Sequence, residues 1–407
     1  MTSLATTQRS LADHAVRHPL WPPLTAGCPV TSTDEVAYPL EVDYAYDRVP
    51  ADLFSDRDLT APRGLERWAP LLPPLAAPGL GEGGTPLVRL SDGVYVKDES
   101  RNPTWSHKDR LNRVAVSAAV ASGARGIVAS SSGNHGASAA AYAARAGLPC
   151  VLFVSPYAPP AVASFLRAYG AAVLTVPLEA VRPLMRRTVT ELGYQAVSSM
   201  TETAHTGHPF GPEGYKTIAY EIFAELGRMP AAVYLPTGYG ELLFGVTKGF
   251  TELVKLGHAG SVPRMYACEP AAAGALAEAM RTGRHAAQVP VGPTDAYAID
   301  CAVGSYRGVV ALEASDGAAL TVTDAQMAAA RDELASQGLW FELSSAAGLA
   351  GLRAHGPADA EGPVVCVATS SGFKDIATAS PDTAYGPMPG DWDTVLAAVE
   401  KAGGLPG

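Results

Sequence analysis

The sequence is poor in charge, in aromatic rings and in paired cysteines, and each shortage excludes a class of protein. Charged residues make up 17% of the 407 positions and aromatic residues 7%, whereas apolar residues make up 47%. This balance excludes a disordered chain and indicates a packed globular protein. The five cysteines are scattered without a CxxC pair, which excludes a disulfide framework and a zinc knuckle and favours a reducing compartment.

Long apolar runs and a basic excess are also missing. No uninterrupted apolar segment reaches about 18 residues, so the sequence predicts no membrane span. The N-terminus MTSLATTQRSLADHAVRHPL lacks the charged-then-apolar pattern of a secretory signal, and we expect a cytoplasmic protein. The net charge of −10 disfavours nucleic acids and anionic membranes as partners.

The composition and residue pattern of the chain change at Gly81. The preceding residues are proline-rich and weakly periodic, and they predict an arm or cover over a core. From Gly81 onward short β-rich runs alternate with helical segments, including a helix near Leu178–Leu192, and glycine closes several of the helices. This alternation predicts an α/β fold with two open, twisted and mainly parallel sheets flanked by helices.

Three turns have the composition that anion-binding sites need at the carboxyl ends of parallel strands. They combine small, hydroxylated and glycine residues between a strand and a helix, where backbone N–H groups can converge on an anion. The turns are SSSGNHGAS (130–138), LPTGYGELLFG (235–245) and VATSSGFKD (367–375). In the second, Leu243 replaces the third glycine of the dinucleotide fingerprint and the P-loop lysine is absent. The first turn is equally compatible with an ordinary helix cap.

Metal and hydrolase motifs are absent from the sequence. It contains no HExxH pair and no GxSxG elbow. His205 and His208 lie three residues apart and could face one ion, but the stretch around them lacks a cysteine or acidic partner. We therefore predict no metal site.

Lys108 stands in the segment NPTWSHKDR (102–110), directly before a helix. A lone lysine is most often a solvated surface charge. A lysine amine becomes a useful nucleophile when its pKa is lowered, and condensation with a carbonyl is its usual reaction. Together with the anion-binding turns and Asn134, the lysine indicates a phosphorylated cofactor held as a Schiff base, which is what pyridoxal 5'-phosphate requires.

Seven blocks in order make the sequence resemble the fold-type II pyridoxal phosphate enzymes (the tryptophan synthase beta-like superfamily), and within them the threonine synthase-like branch. The blocks are EGGTPLVRL, VKDESRNPTWSHKDR, SSGNHGASAAAYAARAG, PEGYKTIAYEI, PTGYGELLFGVTKGF, WFELSSAAGLAGL and VATSSGFKD, and they span about residues 81–376. The resemblance implies a homodimer with the cofactor in the cleft between two domains. Its segments are an N-terminal cover (1–80), a large cofactor-binding domain (81–112 and 201–407) and a small mobile domain (113–200).

The resemblance implies a role for residues in several blocks. Lys108 would carry the cofactor and then move a proton at the substrate α-carbon, while Asn134 would hydrogen-bond the cofactor's ring oxygen. Thr369 would meet the pyridine nitrogen, and a neutral hydroxyl there suits elimination and replacement at the β- or γ-carbon. Backbone groups of five consecutive residues would hold the phosphate, namely Gly238, Tyr239, Gly240, Glu241 and Leu242. Three residues would hold the substrate carboxylate, namely Ser131, Ser132 and His135.

Several positions depart from the family pattern. Trp105 replaces the usual glycine near the lysine, and we expect its side chain to reshape the substrate pocket. His107 replaces the usual phenylalanine and is either an additional acid–base group or a ring packed in the aromatic's place. Glu241 stands where threonine or asparagine is common. Because a carboxylate facing a phosphate would repel it, we expect this side chain to turn away.

These observations predict a pyridoxal phosphate-dependent carbon–oxygen lyase that acts on a small amino acid with a leaving group at Cβ or Cγ. Conversion of O-phosphohomoserine to threonine, with release of phosphate, is the leading reaction. A β-replacement enzyme on O-phosphoserine (cysteate synthase-like) and a threonine or serine dehydratase stay open. A relative that binds the cofactor or an amino acid without catalysis belongs to another class, and the presence of Lys108, Asn134 and Thr369 argues against it.

Overall fold

The computed structural model of the chain describes residues 2–54, 64–91, 93–154, 160–356, 361–379 and 391–401. Within them, no helix has the length and apolarity to cross a membrane. The strands of this part are β1 (Ala5–Ser10), β2 (Arg17–Pro19), β3 (Leu40–Tyr44), β4 (Leu87–Ser91), β5 (Val94–Asp98), β6 (Ile127–Ser130), β7 (Cys150–Val154), β8 (Ala172–Thr175), β9 (Gln195–Ala196), β10 (Ala232–Pro236), β11 (Arg264–Pro270), β12 (Ala318–Val322) and β13 (Val364–Ala368).

Helices connect most of these strands. They are α1 (Lys108–Ala121), α2 (Asn134–Arg145), α3 (Pro160–Ala168), α4 (Leu178–Leu192), α5 (Gly211–Leu226), α6 (Glu241–Lys255), α7 (Ala275–Thr282), α8 (Tyr306–Ala314), α9 (Asp324–Ser336), α10 (Ala347–His355), α11 (Ile376–Ala379) and α12 (Trp392–Lys401). Short 3-10 helices lie at Tyr46–Arg48, Gly64–Leu71, Glu99–Arg101, Leu343–Ala346 and Gly372–Lys374.

The first three strands form a small antiparallel sheet in the order β2-β1-β3. The sequence predicted an arm or cover there and no strands, because β1 reads ATTQRS and has too few apolar residues to show a strand pattern. Two buried cations of the main body reach this sheet. Lys248 Nζ donates to Val42 O (2.6 Å) and Arg307 Nη2 donates to Leu40 O (2.5 Å). The sheet therefore covers helices α6 and α8.

The large sheet has six strands in the order β12-β11-β10-β13-β5-β4, and β4 runs antiparallel to β5 while the other pairs are parallel. Strands β10 (AVYLP) and β13 (VVCVA) are buried along their whole length, as expected for parallel strands with helices on both faces. This order brings the carboxyl ends of β10, β13 and β5 together. The loops that lead to Gly238, Thr369 and Lys108 start there.

The second parallel sheet has four strands in the order β8-β7-β6-β9. Its strand β6 ends at Ser130, directly before the turn that begins α2. The outer strand β8 is largely exposed, in contrast to the central strands of the large sheet. Two mainly parallel sheets flanked by helices confirm the predicted fold class.

The glycine at position 245 allows helix α6 to lie close against α5. A Cβ at Gly245 would overlap Pro212 O and lie 2.6 Å from Tyr215 Cβ, so a larger residue would push the helices apart. The contact fixes the first turn of α6, and with it the turn that follows β10.

Candidate active site

Lys108 is the first residue of α1, and the loop before it is held against the end of β13. His107 N–H donates to Thr369 O (2.9 Å), and Ser106 pairs with Ser370 in an isolated β-bridge. The backbone of the lysine loop is thereby tied to the central strand of the large sheet.

The Lys108 amine faces a cavity of about 360 Å³. Its Nζ lies 5.9 Å from the centre of the Tyr215 ring. Burial lowers the pKa of Lys108, and the nearby Glu241, Cys301 and Glu342 offset only part of that effect. The amine is therefore closer to its neutral, nucleophilic form than a surface lysine is.

His107 is buried beside the lysine and lines the same cavity. Its ring stacks on Tyr215 with 5.3 Å between ring centres, and its Nδ1 lies 3.2 Å from Thr369 O. Burial, reinforced by the charge of Lys108, lowers the pKa of His107 well below the ordinary value. The ring is therefore neutral at physiological pH, which favours a packed aromatic over a group that titrates near pH 7.

Asn134 begins helix α2, and contacts on both sides fix its side-chain amide. Asn134 Nδ2 donates to both carboxylate oxygens of Glu342, at 3.1 and 3.2 Å. Its Oδ1 accepts from Lys374 Nζ (2.8 Å) and from Ser370 Oγ (3.2 Å). These four contacts set the orientation of the amide, with the NH₂ group toward Glu342. Glu342 also lines the cavity, and burial raises the pKa of its carboxyl.

Ser131 and Ser132 lie in the turn between β6 and α2, His135 is the second residue of α2, and all three line the cavity. His135 Nε2 lies 2.9 Å from Ser198 Oγ, and its Nδ1 lies 3.3 Å from Asn112 Nδ2. Burial lowers the pKa of His135 to about 4, so the ring is neutral at pH 7. The serine hydroxyls and the first N–H groups of α2 make this turn suitable for a carboxylate.

The second turn follows β10 and contains Gly238, Tyr239 and Gly240. A Cβ at Gly238 would lie 2.7 Å from Cys301 Sγ, and Gly240 has a φ of 80° that favours glycine. Helix α6 starts at the next residue, so its first N–H groups have no acceptor within the helix. The segment from Gly238 to Leu242 lines the cavity and is suited to binding an anion.

Glu241 is the first residue of α6, and its side chain is held by His205. Glu241 Oε2 lies 3.2 Å from His205 Nε2, and the His205 ring stacks on Tyr239 with 3.9 Å between ring centres. Burial acts to raise the pKa of Glu241, but His205, Arg307 and Lys108 outweigh it and lower that pKa below the ordinary value. The carboxylate is thus ionised, whereas burial lowers the pKa of His205, so Glu241 contacts an imidazole that is neutral at pH 7.

Thr369 follows strand β13 directly and lines the cavity. Its Oγ1 lies 2.8 Å from Ser345 Oγ, which in turn accepts a hydrogen bond from Ser370 N–H (2.8 Å). The hydroxyl is therefore fixed in position and carries no charge.

Trp105 does not line the cavity around Lys108. Its backbone has a φ of 62°, and its side chain is 43% exposed. The ring lies edge-on against Phe165 of α3, with 5.6 Å between ring centres. Together they border a separate small cavity of about 40 Å³. Trp105 is therefore the one predicted site residue that does not line the cavity around Lys108.

The other predicted site residues meet at one cavity, and further residues join them there. The additional lining residues include Arg182, Ser198, Ser199, His205, Tyr297, Asp300, Cys301 and Glu342. Glu342 lies in the block WFELSSAAGLAGL, so a signal for it was present in the sequence. The remaining residues lie outside the quoted blocks. The amine with a lowered pKa can bond covalently to a carbonyl compound. The anion-binding turn can hold a phosphate group of that compound, and the fixed amide can orient it by a hydrogen bond.

Comparison with known proteins gives a family and several relatives. Residues 79–370 match the family described as pyridoxal-phosphate dependent enzyme. Threonine synthase of Methanosarcina acetivorans is 31% identical over 375 residues, which cover 85% of this chain and 90% of that enzyme. Threonine synthase of Halalkalibacterium halodurans is 34% identical over 348 residues, which cover 80% of this chain and 93% of that enzyme.

Solved structures share the fold. A fungal L-serine ammonia-lyase from Rhizomucor miehei superposes with a TM-score of 0.62 at 21% identity, covering 72% of this chain and 96% of that chain. A mutant of O-ureido-L-serine synthase with O-ureido-L-serine bound gives a TM-score of 0.60 at 23% identity, covering 78% of this chain and 96% of that chain. At these identities the likeness shows the fold alone.

Proposed function

This chain belongs to the family of pyridoxal-phosphate dependent enzymes, and we propose that it converts O-phosphohomoserine to threonine with release of phosphate. Its relation to threonine synthases over most of its length makes it a carbon–oxygen lyase of the threonine synthase type. The observation that carries the proposal is that residues from the family's separate blocks line one cavity around Lys108.

The residues around Lys108 fit pyridoxal phosphate. The turn at Gly238 leaves no room for a Cβ, and the amine has a lowered pKa. Lys108 Nζ would hold the cofactor covalently, Asn134 would hydrogen-bond the ring oxygen and Thr369 Oγ1 would meet the pyridine nitrogen. Backbone N–H groups of the segment from Gly238 to Leu242 would hold the phosphate. When bound, pyridoxal phosphate supplies an electron sink that stabilises negative charge at the substrate α-carbon.

The chain's own groups would then bind and orient the amino acid. Ser131, Ser132 and the neutral His135 would hold the substrate carboxylate at the start of α2. Lys108 would move a proton at the substrate α-carbon, since its lowered pKa leaves more of the amine neutral and able to accept a proton than in a surface lysine. Its backbone is tied to β13, which keeps the amine in place as the proton is moved.

The domain division and the assembly are also proposals. The four-stranded sheet lies within residues 113–200, which supports treating that segment as the small domain. The cavity is lined from both sheets, which supports a cleft between the domains. A homodimer would be detected by sedimentation analysis of the purified protein.

The visible absorption of the purified holoenzyme tests the proposed reaction. O-phosphohomoserine, O-phosphoserine, serine and threonine are added separately while phosphate and amino-acid products are measured. We expect O-phosphohomoserine to shift the cofactor band, release phosphate and form threonine. Turnover of O-phosphoserine alone would replace the proposal by β-replacement, and a 2-oxo acid from serine or threonine would replace it by a dehydratase. If added pyridoxal phosphate gave no band, the chain would be a relative without catalysis.

A further inference from the structure

Arg182 lies at the boundary between two cavities. It is in the second turn of α4 and is half-buried. It lines the cavity that contains Lys108 and also an adjoining cavity of about 390 Å³. The two cavities share Ser130, His205 and Tyr239 as well, so the guanidinium lies near the cavity that the substrate would occupy.

Among the described residues no carboxylate forms an ion pair with Arg182, although the exposed Glu202 is near enough to attract its guanidinium. Its Nη1 donates to Ser199 O and lies 3.7 Å from Met185 Sδ. In contrast, Arg186 one turn further along α4 pairs with Glu202 (3.1 Å). A guanidinium carries five N–H donors, and leaving its charge unpaired in a partly buried place costs free energy. Arg182 therefore has the N–H donors and the positive charge needed to bind an anion.

Arg182 and Lys108 are the two lysine or arginine residues among those that line this cavity. Lys108 would be bonded covalently to the cofactor, and the turn from Gly238 to Leu242 would hold the cofactor's own phosphate. The turn that starts α2 suits the substrate carboxylate. Once these sites are filled, Arg182 is the cation that is left for a second anionic group of the substrate.

We propose that Arg182 binds the side-chain phosphate ester of the amino-acid substrate and so selects phosphorylated over unphosphorylated amino acids. This inference rests on the proposed function, because it names the residue that would recognise the leaving group. A guanidinium fits a phosphate in a bidentate arrangement, with charge-assisted hydrogen bonds. The carboxylates of Glu179 and Glu202 line the adjoining cavity, but both side chains are exposed, so solvent screens their repulsion of the phosphate.

The test compares Arg182→Gln with Arg186→Gln, which removes the same charge from the same helix outside both cavities. Binding to the holoenzyme is followed through the cofactor's visible absorption, which does not require turnover. The probes are the phosphonate isostere of O-phosphohomoserine, in which a methylene replaces the ester oxygen, and neutral homoserine. We expect Arg182→Gln to raise the Kd of the phosphonate about tenfold or more and that of homoserine less than about twofold. Arg186→Gln should change neither value, and Arg182→Lys should restore part of the phosphonate affinity.

Two results would overturn the assignment of Arg182. One is a phosphonate Kd in Arg182→Gln within about twofold of the wild type. The other is an equal loss for homoserine, which would show a structural role. Glutamate as a third probe tests a carboxylate as the bound group, and a loss confined to glutamate would also overturn the proposal.

The same measurements separate this inference from the proposed function. If the wild-type enzyme releases phosphate from O-phosphohomoserine and Arg182→Gln binds the phosphonate normally, the reaction stands and the role of Arg182 fails. If the wild-type enzyme binds the phosphonate through Arg182 but forms no threonine, the anion site stands and the reaction fails.

Discussion

The two sides of the cavity are built differently. The first, which we name the cofactor wall, comprises Lys108, Thr369 and the segment from Gly238 to Leu242. It rests on β10 and β13, whose residues are all buried. The second, the substrate wall, comprises residues 130–135 with Arg182, Ser198 and Ser199, and rests on the four-stranded sheet. That sheet is smaller, and its edge strand β8 is mostly exposed.

This difference indicates which side is rigid and which side can adapt. Burial of a parallel sheet on both faces and the backbone contacts of the lysine loop hold the cofactor wall in one geometry. The sheet beneath the substrate wall has a mostly exposed edge strand, so local motion there costs less free energy. Changes in the cofactor wall should therefore affect every reaction of the enzyme, whereas changes in the substrate wall should affect the choice of substrate.

The largest effect is expected at Lys108, the centre of the cofactor wall. Lys108→Ala should lower kcat by at least about 1,000-fold for every substrate, because it removes both the covalent attachment and the base. The fold should be intact, since the lysine side chain faces a cavity. Turnover and far-ultraviolet circular dichroism are measured together. Full activity in this variant would contradict the whole assignment.

A smaller effect is expected at Gly240 in the same wall. Gly240→Ala places a Cβ on a residue with a φ of 80° and 3.0 Å from Gly308 Cα. The strain of about 1–2 kcal/mol should raise the Kd of pyridoxal phosphate about tenfold. Fluorescence titration of the apoenzyme with pyridoxal phosphate measures this Kd. Gly260→Ala is the control, because nothing lies within 4 Å of the added Cβ. Unchanged affinity in Gly240→Ala would argue against this turn as the phosphate site.

At His107, next to the lysine, we expect a modest effect. His107→Phe should lower kcat less than about threefold and leave the pH dependence between about pH 6 and 9 unchanged. The reason is that burial keeps the pKa of His107 well below its ordinary value, so the ring is neutral across this range. The pH profile of kcat is the measurement. A changed acidic limb would instead make His107 a proton-transfer group.

The smallest effect is expected at Trp105, which links the lysine loop to α3. Trp105→Gly relieves a left-handed backbone conformation but loses the contact with Phe165, so the free energy of unfolding should change by less than about 1 kcal/mol. The substrate KM should change less than about twofold, because the ring lies outside the cavity. KM and urea unfolding are measured on the same variant. A large rise in KM would show that the tryptophan does reach the substrate.

Local sequence patterns predicted the two-sheet fold and most of the cavity. The helix expected near Leu178–Leu192 has those bounds, and residues from each of the three turns lie at one cavity. These features follow from strand–helix alternation and from the meeting of strand ends in a parallel sheet. The resemblance added the residue roles, which remain proposals.

Contacts between distant parts of the chain could not be predicted in this way. Nothing near Asn134 indicates that Glu342 and Lys374 fix its amide, since both are more than 200 positions away. The contact of Glu241 with His205 likewise depends on how the loop that contains His205 meets the start of α6. Trp105 was expected in the pocket because it is near the lysine in sequence. Its positive φ was not apparent from the sequence.

The edge-on contact between Trp105 and Phe165 gives the molecule a built-in optical reporter. The indole is half-exposed and lies three positions before Lys108, close enough in sequence to be near a chromophore attached there. Its partner ring belongs to α3 beside the four-stranded sheet. Emission from this indole, isolated by replacing the other four tryptophans of the chain, would therefore change when the four-stranded sheet shifts relative to the lysine loop. Any movement of the four-stranded sheet during turnover would then be measurable in real time without an added dye.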